Sequence, residues 1–206
     1  MSRNLSNSSK GLRKKARVLL PEHELAILAQ LDASGRYKAR NKVMFLLSAK
    51  AGLRAKEISA LTWFMVKGAA GEIGTEIFLE DSAAKGRNGG RIIPLNTQLR
   101  VALEALSAEC GEVHTDSTVI RSERGGAMSA GAIVDWFGDF YRKLGLMGCS
   151  SHSGRRTFIT NAGRQISLVG GSIHDVQELA GHKNLATTQG YIDAENEARR
   201  KVVNLL

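Results

Sequence analysis

Six polar residues stand at predicted helix ends or in turns, away from the apolar stripes of the chain: Arg54, Lys85, His152, Arg155, His182 and Tyr191. The planar guanidinium of arginine binds anionic oxygens in a bidentate way that the ammonium of lysine cannot. A phenol has an ordinary pKa of about 10, so a tyrosine attacks at neutral pH only with help from a base or a positive field. Taken alone, each of these residues is more commonly a surface ion-pair partner or a packed core residue.

The local sequence around these residues follows an ordered pattern. The pattern consists of Ala51-Gly52-Leu53-Arg54-Ala55-Lys56-Glu57-Ile58, then Lys85-Gly86, His152-Ser153-Gly154-Arg155, Leu179-Ala180-Gly181-His182 and Thr187-Thr188-Gln189-Gly190-Tyr191. The tyrosine follows the second histidine by nine residues. In order and spacing this set resembles the tyrosine site-specific recombinase, or phage integrase, family over about residues 22–193. The resemblance is to the catalytic domain, either of the short single-domain type or as an excised fragment.

The resemblance implies a chemical role for each of five positions. Tyr191 would attack the phosphorus of DNA and become a 3′-phosphotyrosine, which keeps the bond energy so that rejoining needs no ATP, metal or other cofactor. Arg54 and Arg155 would clamp the non-bridging oxygens, on which negative charge grows. His152 would be the base, and His182 would hydrogen-bond the phosphate.

Two further roles follow from the same resemblance. Glu57, about one helical turn after the first arginine, would hold that arginine in position. Lys85, in the turn between two predicted strands, would be the general acid that protonates the departing 5′ oxygen. The register of this lysine stays open, because Lys67 precedes the sheet and Arg87 and Arg91 flank the same turn. The pair with Gly86 ahead of an apolar strand favours Lys85.

Apolar periodicity predicts a mainly α protein with one small antiparallel β-sheet, an α+β fold that agrees with the tyrosine recombinase catalytic domain. Helices are expected from Pro21, over 39–50, over 55–63, around 99–106, after Ser129, and over 155–164, 173–180 and 184–191. Two β-type runs, 76–79 and 91–95, flank a glycine-rich turn. The aromatic residues Trp136, Phe137, Phe140 and Tyr141 are predicted to pack in the core in preference to stacking on bases.

Positive charge is concentrated at the start of the chain. The 206 residues have a formal net charge of +9, and residues 1–20 contain six Lys or Arg and no acid. Basic side chains release counterions from phosphates, so this arm favours nucleic acid without reading its sequence. A solvated tail and a mitochondrial presequence are the alternatives. The residues predicted to contact DNA are Arg13, Lys14, Lys15, Arg17, Arg87, Arg91 and Arg156.

Three segments are expected along the chain: a basic, flexible arm at 1–20, a catalytic domain at 21–193 and an amphipathic segment at 194–206. The last segment either docks on a neighbouring protomer or packs back on its own domain. No apolar run reaches the roughly 18 residues of a membrane helix, so no membrane is expected. Cys110 and Cys149 lack metal-ligand spacing and follow no secretory leader, which favours the cytoplasm and no metal site.

The leading hypothesis is a recombinase that integrates, excises or inverts double-stranded DNA. Because each protomer would cut one strand and recombination needs four cuts, a homo-oligomer on DNA, a tetrameric synapse, is expected, with an accessory DNA-bending protein as a further candidate partner. Two alternatives stay open. A type IB topoisomerase would rejoin the same strand, and a DNA-binding regulator would keep the fold without turnover.

Overall fold

The computed structural model describes residues 16–83, 90–192 and 203–204. Eight α-helices and one two-stranded antiparallel sheet form this part of the chain, which confirms the predicted fold class. The elements are α1 (Pro21–Ala33), α2 (Lys38–Lys50), α3 (Ala55–Ala60), β1 (Glu76–Leu79), β2 (Arg91–Pro94), α4 (Thr97–Cys110), α5 (Ala130–Lys143), α6 (Ser153–Gln165), α7 (Ile173–Ala180) and α8 (Leu185–Ile192). Short 3₁₀ turns at Trp63–Met65 and Ile166–Val169 follow α3 and α6.

Capping residues fix where several helices begin. The Asn96 side chain accepts a hydrogen bond from the amide of Gln98 at the start of α4 (3.0 Å), and Ser129 accepts from the amide of Ala132 at the start of α5 (3.1 Å). These oxygens satisfy amides that have no partner within the helix. Helix α1 begins at Pro21, whose fixed φ and missing N–H suit a first turn.

Helix α3 is shorter than predicted, because it ends at Ala60 and not near residue 63. The chain then bonds to a segment far along the sequence. The amide of Trp63 donates to the Ser117 carbonyl (3.1 Å), and the amide of Phe64 donates to the Thr115 carbonyl (2.8 Å). These long-range bonds take the place of a further helical turn.

The two strands pair along their whole length, with Leu79 opposite Arg91. Ile77 and Ile93 face the core and are buried, as the alternation of a half-covered strand requires. The sheet therefore packs one face on the helices. Strand β2 begins at Arg91 and contacts α7.

Helix α2 is the centre of the main core. Its five consecutive residues 43–47 are fully buried, because α2 packs against both α4 and α6. A helix covered by several neighbours has no single apolar stripe. Helix α5 adds Phe137 and Tyr141, both fully buried, with Trp136 and Phe140 packed beside them. The predicted core role of this aromatic cluster is confirmed.

A second, smaller group of buried residues lies between α6, α7 and α8. Ile159, Val176 and Ala180 are fully buried there, and Tyr191 packs against them while staying partly exposed. Helix α8 contacts α6 and α7. The end of the domain is thus organised around this small cluster.

The folded domain begins earlier than the predicted boundary at residue 21. Leu19 is buried, and its amide donates to Thr157 Oγ1 (2.8 Å). The amide of Arg17 donates to the Gly148 carbonyl (3.2 Å). Residues 16–20, predicted as the end of a flexible arm, are held on the domain by these contacts, whereas residues 1–15 lie outside the described residues.

Across the described residues, no helix is both long and apolar enough to span a bilayer. The same residues contain no group of three or more His, Cys, Asp or Glu side chains that could hold a metal ion. Cys110 and Cys149 are free thiols, and burial raises the pKa of both. A raised pKa lowers the thiolate fraction, so neither cysteine is activated as a nucleophile.

Candidate active site

Arg54 is held by Glu57 at the start of α3. Glu57 is 1% exposed, and its carboxylate oxygens accept from the backbone amide of Arg54 (2.8 Å) and from Arg54 Nη1 (2.8 Å). A carboxylate in the third position of a helix can reach back to the residue before the helix. Glu57 thus fixes one side of the guanidinium, and 28% of the Arg54 side chain is exposed.

Arg91 has an environment different from that of a DNA-contacting residue. Its side chain is 7% exposed, and its two Nη atoms donate to the two oxygens of Glu57 (3.0 and 3.2 Å). Its Nε donates to the carbonyl of Leu179 (2.9 Å). Three of its five N–H groups are thus bonded within the protein, which argues against the predicted DNA contact of Arg91, and that contact stays a prediction.

Arg155 projects from α6 and is also buried, at 2% exposed. Its Nη1 donates to the Gly52 carbonyl (2.5 Å) and its Nη2 to the Ala180 carbonyl (2.6 Å). Burial lowers the pKa of Arg155 to about 10, and the charges of Arg54 and Arg91 act in the same direction. The guanidinium therefore remains protonated at neutral pH.

Two arginines from distant elements meet at the C-terminal end of α7. The carbonyls of Leu179 and Ala180, which have no partner inside a helix that ends here, accept from Arg91 and Arg155. Gly181 follows in the left-handed conformation (φ 61°), and a Cβ atom there would lie 2.8 Å from Arg91 Nη1. Cations are favourable at the negative end of the helix dipole. This helix stop places the next residue, His182, beside both guanidinium groups.

His182 has a defined tautomer in this arrangement. Its Nε2 lies 2.9 Å from Arg155 Nη2, which can only donate, so Nε2 accepts. The ring proton is then on Nδ1, which donates to Thr188 Oγ1 at 3.0 Å. Burial and the charges of Arg155 and Arg54 lower the pKa of His182 to about 4, so the ring is neutral at physiological pH. The phosphate contact predicted for His182 requires Nε2 to leave Arg155 and to carry a proton, because an unprotonated Nε2 and a phosphate oxygen are both acceptors.

The site as a whole is positive. Burial alone would raise the pKa of Glu57, but the hydrogen bonds and charges of Arg91 and Arg54 lower it below its ordinary value, so the carboxylate is ionised. Three guanidinium groups against one carboxylate, with neutral His182, leave a net charge of +2. This charge suits a phosphodiester, which gains negative charge as it reacts.

Tyr191 lies beside this positive group on α8. Its ring stacks on His182, with centroids 5.4 Å apart and planes inclined at 28°. The backbone carbonyl of Tyr191 accepts from Thr160 Oγ1 of α6 (3.3 Å). One ring thus contacts the nucleophile candidate on its face and a buried arginine through its edge.

A family model described as the phage integrase family matches residues 17–198. The chain belongs to the phage integrase family. It is 28% identical over 196 residues to the tyrosine recombinase XerC of Myxococcus xanthus, covering 90% of this chain and 61% of that protein. It is 29% identical over 206 residues to XerC of Shewanella oneidensis, covering 95% of this chain and 62% of that protein. The chain therefore spans about 61–62% of the length of these relatives.

Solved structures share the fold of this integrase-family chain. The Tn1549 transposon integrase in complex with a circular intermediate DNA has a TM-score of 0.72 and 18% identity, covering 99% of this chain and 70% of that chain. The XerA recombinase has a TM-score of 0.70 and 23% identity, covering 92% of this chain and 63% of that chain. The family resemblance and the catalytic-domain fold expected from the sequence are confirmed.

The integrase fold brings Arg54, Arg155, His182 and Tyr191 together around the end of α7, linked by the contacts above. His152 lies at the start of α6 with an exposed ring, whose Nδ1 is 3.4 Å from Ser151 Oγ. Lys85 and Arg87 lie outside the described residues, and their roles stay predictions.

Some of the other residues predicted to contact DNA lie within the described part of the chain, and others lie outside it. Arg13, Lys14 and Lys15 lie outside the described residues. Arg17 is exposed, and its side chain lies near Gly148. Arg156 is partly buried, and its Nη1 donates to the Ala16 carbonyl (3.0 Å), so it also anchors the start of the domain. DNA contact by these residues stays a prediction.

Two site residues were not found from the sequence. Arg91 was assigned to DNA, and Thr188 was quoted only as part of the motif before Tyr191. The signal for the threonine was its position between the second histidine and the tyrosine of an integrase-family motif. For Arg91, the signal was its place as the first residue of a strand, next to a turn expected in the site.

Proposed function

We propose that this chain is a site-specific recombinase, which cuts and rejoins double-stranded DNA through a 3′-phosphotyrosine on Tyr191. The observation that carries the proposal is the stack of Tyr191 on His182, whose ring edge is bonded to the buried Arg155. This places a nucleophile candidate next to fixed positive charge. A second cation, Arg54, is held by Glu57 with 28% of its side chain exposed.

The proposed cleavage step breaks one ester and forms another. The oxygen of Tyr191 attacks the phosphorus, and the bond from phosphorus to the 5′ oxygen breaks. His152 takes the phenol proton, and Lys85 gives a proton to the departing 5′ oxygen. In the return step a 5′ hydroxyl attacks the phosphotyrosine and the tyrosine leaves, so each step makes one phosphoester bond for each one it breaks and no ATP is required.

Arg54 and Arg155 would stabilise the charge that grows on the non-bridging oxygens. Arg155 already donates to two backbone carbonyls and to His182. An arriving phosphate oxygen can replace the contact with His182, because the imidazole is a side chain that can rotate. The two carbonyls belong to the backbone and cannot. In this proposal, phosphate binding frees His182 Nε2, which donates a hydrogen bond to the phosphate once it carries a proton.

The proposed partner is double-stranded DNA, held by the basic residues Arg13, Lys14, Lys15, Arg17, Arg87 and Arg156. Integrases of similar fold are described in complex with circular intermediate DNA and as a dimer bound to a core site. By the four-cut argument we propose a homo-tetrameric synapse, with residues 194–206 docking on a neighbouring protomer. An accessory DNA-bending protein and a cytoplasmic location complete the proposal.

The test uses nicked duplexes tiled across the DNA that flanks the coding sequence, because a nick beside the cut site traps the covalent intermediate. The unaltered chain should form an SDS-resistant adduct, and Tyr191→Phe should bind the same duplex without forming it. Tyr37→Phe is the matched control, since it removes a phenol oxygen outside the site, and it should form the adduct normally.

Two results would overturn this proposal. One is an adduct that persists in Tyr191→Phe. The other is an unaltered chain that binds a duplex from this region but forms no adduct on any of them. Relaxation of supercoiled plasmid without strand exchange would indicate the topoisomerase alternative.

A further inference from the structure

Arg91 bonds to two separate parts of the site at once. Its Nη atoms meet both oxygens of Glu57, and its Nε meets the Leu179 carbonyl. Glu57 in turn holds the amide and the Nη1 of Arg54, and Leu179 lies three residues before His182. One side chain therefore connects the start of α3 with the end of α7.

The shape of the side chain matters for this connection. A guanidinium offers N–H groups along two edges of one plane, so a fork can face the carboxylate while Nε faces the carbonyl. A lysine at the same position has the charge but not the fork. Because Arg91 is the first residue of β2, its bonds also fix where the sheet begins relative to the site.

Arg91 also determines how much of the charge of Arg54 is available to a substrate. Each oxygen of Glu57 accepts one bond from Arg54 and one from Arg91. Without Arg91, the buried carboxylate would have Arg54 as its remaining partner among the described contacts. It would then draw that guanidinium inward and neutralise it.

We propose that Arg91 is a positioning residue: by bonding Glu57 and the Leu179 carbonyl together, it sets Arg54 and His182 at a fixed separation around the reacting phosphate. The identity of the reacting group rests on the proposed function. The geometry of the link stands on the contacts of Arg91 alone.

The first experiment compares the single-turnover cleavage rate at saturating DNA with the Kd for the same duplex at several salt concentrations. Arg91→Met should lower the rate about 100-fold, comparable to the loss of one oriented donor, while Kd changes by less than about three-fold and the salt slope is unchanged. Arg91→Lys should keep the charge and lose the fork, with a loss of about ten-fold.

A second substitution tests whether Arg91 acts through Glu57. In Arg91→Met/Glu57→Gln the buried carboxylate is gone, so the double variant should be no slower than Arg91→Met, which is non-additive behaviour. Arg100→Met is the matched control, because it removes an arginine from an exposed Arg–Glu pair on α4, and it should leave the rate unchanged. Losses that multiply, or a salt slope reduced by about one in Arg91→Met, would show a separate DNA contact and overturn the proposal.

A measurement without DNA separates this inference from the proposed function. In ¹⁵N NMR spectra of the free protein, the Arg54 Nε and His182 Nδ1 signals should move in Arg91→Met and in Arg91→Lys, and stay in place in Arg100→Met. Unmoved signals in both Arg91 variants overturn the positioning role. A chain that never forms the adduct but shows these shifts overturns the proposed function only.

Discussion

The two sides of the site are attached to hydrophobic clusters of different size. Arg54 and Glu57 begin a helix that follows directly on α2, where residues 43–47 are all fully buried. Tyr191 lies on α8, which covers a cluster of three fully buried residues, Ile159, Val176 and Ala180. The phosphate side, which contains Arg54 and Glu57, is attached to a large core. The nucleophile side, which contains Tyr191, is attached to a small one.

The hydrogen bonds follow the same division. Arg155 and Glu57 each make several hydrogen bonds within the protein, including bonds to backbone carbonyls and to a backbone amide. The Tyr191 ring is placed by a stack on His182. Charge stabilisation depends on fixed groups, whereas a nucleophile has to approach and leave phosphorus. The charged groups are therefore held by several directed hydrogen bonds, whereas the Tyr191 ring is held by packing.

The largest effect is expected on the phosphate side, from Arg155→Lys. A lysine cannot donate to both the Gly52 and Ala180 carbonyls while facing a phosphate. We expect the single-turnover cleavage rate to fall about 1,000-fold, the upper range for one oriented donor, with a small change in DNA affinity. Arg142→Lys, in an exposed pair on α5, is the control. A loss below ten-fold would show that Arg155 is not part of the fixed side.

The two cores can be compared by the same substitution in each. Val43 and Val176 are both fully buried. Val43→Ala should lower the free energy of unfolding by about 2 kcal/mol, seen as a lower midpoint in denaturant. Val176→Ala should instead raise amide hydrogen exchange mainly in α7 and α8 and lower the yield of covalent adduct. Equal global destabilisation by both, without local exchange, would remove the distinction between the cores.

The pH dependence of stability tests His182, which contacts both Arg155 and Tyr191. His182 has a pKa of about 4 in the folded chain against an ordinary 6.5, so the unfolded chain binds the extra proton between these values. Stability is therefore lost as pH falls from about 6.5 to about 4. We expect a loss of about 1 kcal/mol after allowing for solvent screening, absent in His182→Gln.

His174→Gln is the matched control for this measurement, because His174 is exposed on α7. It should keep the pH dependence of the unaltered chain. Parallel curves for the unaltered chain and His182→Gln would mean that the pKa of His182 is the same in the folded and the unfolded chain, against the lowered pKa described for the site.

The smallest effect is expected at Thr188, which fixes the tautomer of His182. Thr188→Val keeps the shape of the side chain and removes the oxygen that accepts from Nδ1. The cleavage rate should fall about five-fold, of the order of one ordinary hydrogen bond, and ¹⁵N spectra should show a mixture of tautomers. Thr187→Val, on an exposed neighbour, should change neither. A single tautomer of His182 in Thr188→Val would show that Arg155 alone determines the tautomer.

Local features of the sequence were enough to predict most of the helices. The bounds of α7 follow from the cap at Ser172 and the stop at Gly181, both of which act within one turn. The identities of the site residues came from the ordered motif. Their hydrogen-bond partners could not be predicted from it, because a sequence motif does not specify which distant residues meet in the folded chain.

The contacts that the sequence did not predict have a common feature, which is a partner far along the chain. Arg91 bonds to Glu57, 34 residues away, and to Leu179, 88 residues away. Leu19 bonds to Thr157, 138 residues away, which is why the start of the domain was placed too late. Next to each of these residues the sequence looks like a turn or a basic arm, and only the folded chain supplies the other half of the contact.

The close approach of Arg91 to Gly181 has a consequence for how the sequence of this chain can change over time. Any other residue at 181 needs both a left-handed backbone and a displaced guanidinium, since its Cβ would lie 2.8 Å from Nη1. A shorter residue at 91 would make the room but would release Glu57. The constraint runs one way: position 181 is held to glycine by its backbone and by Arg91, whereas position 91 is held by Glu57, so we expect glycine to persist at 181 for as long as arginine stands at 91.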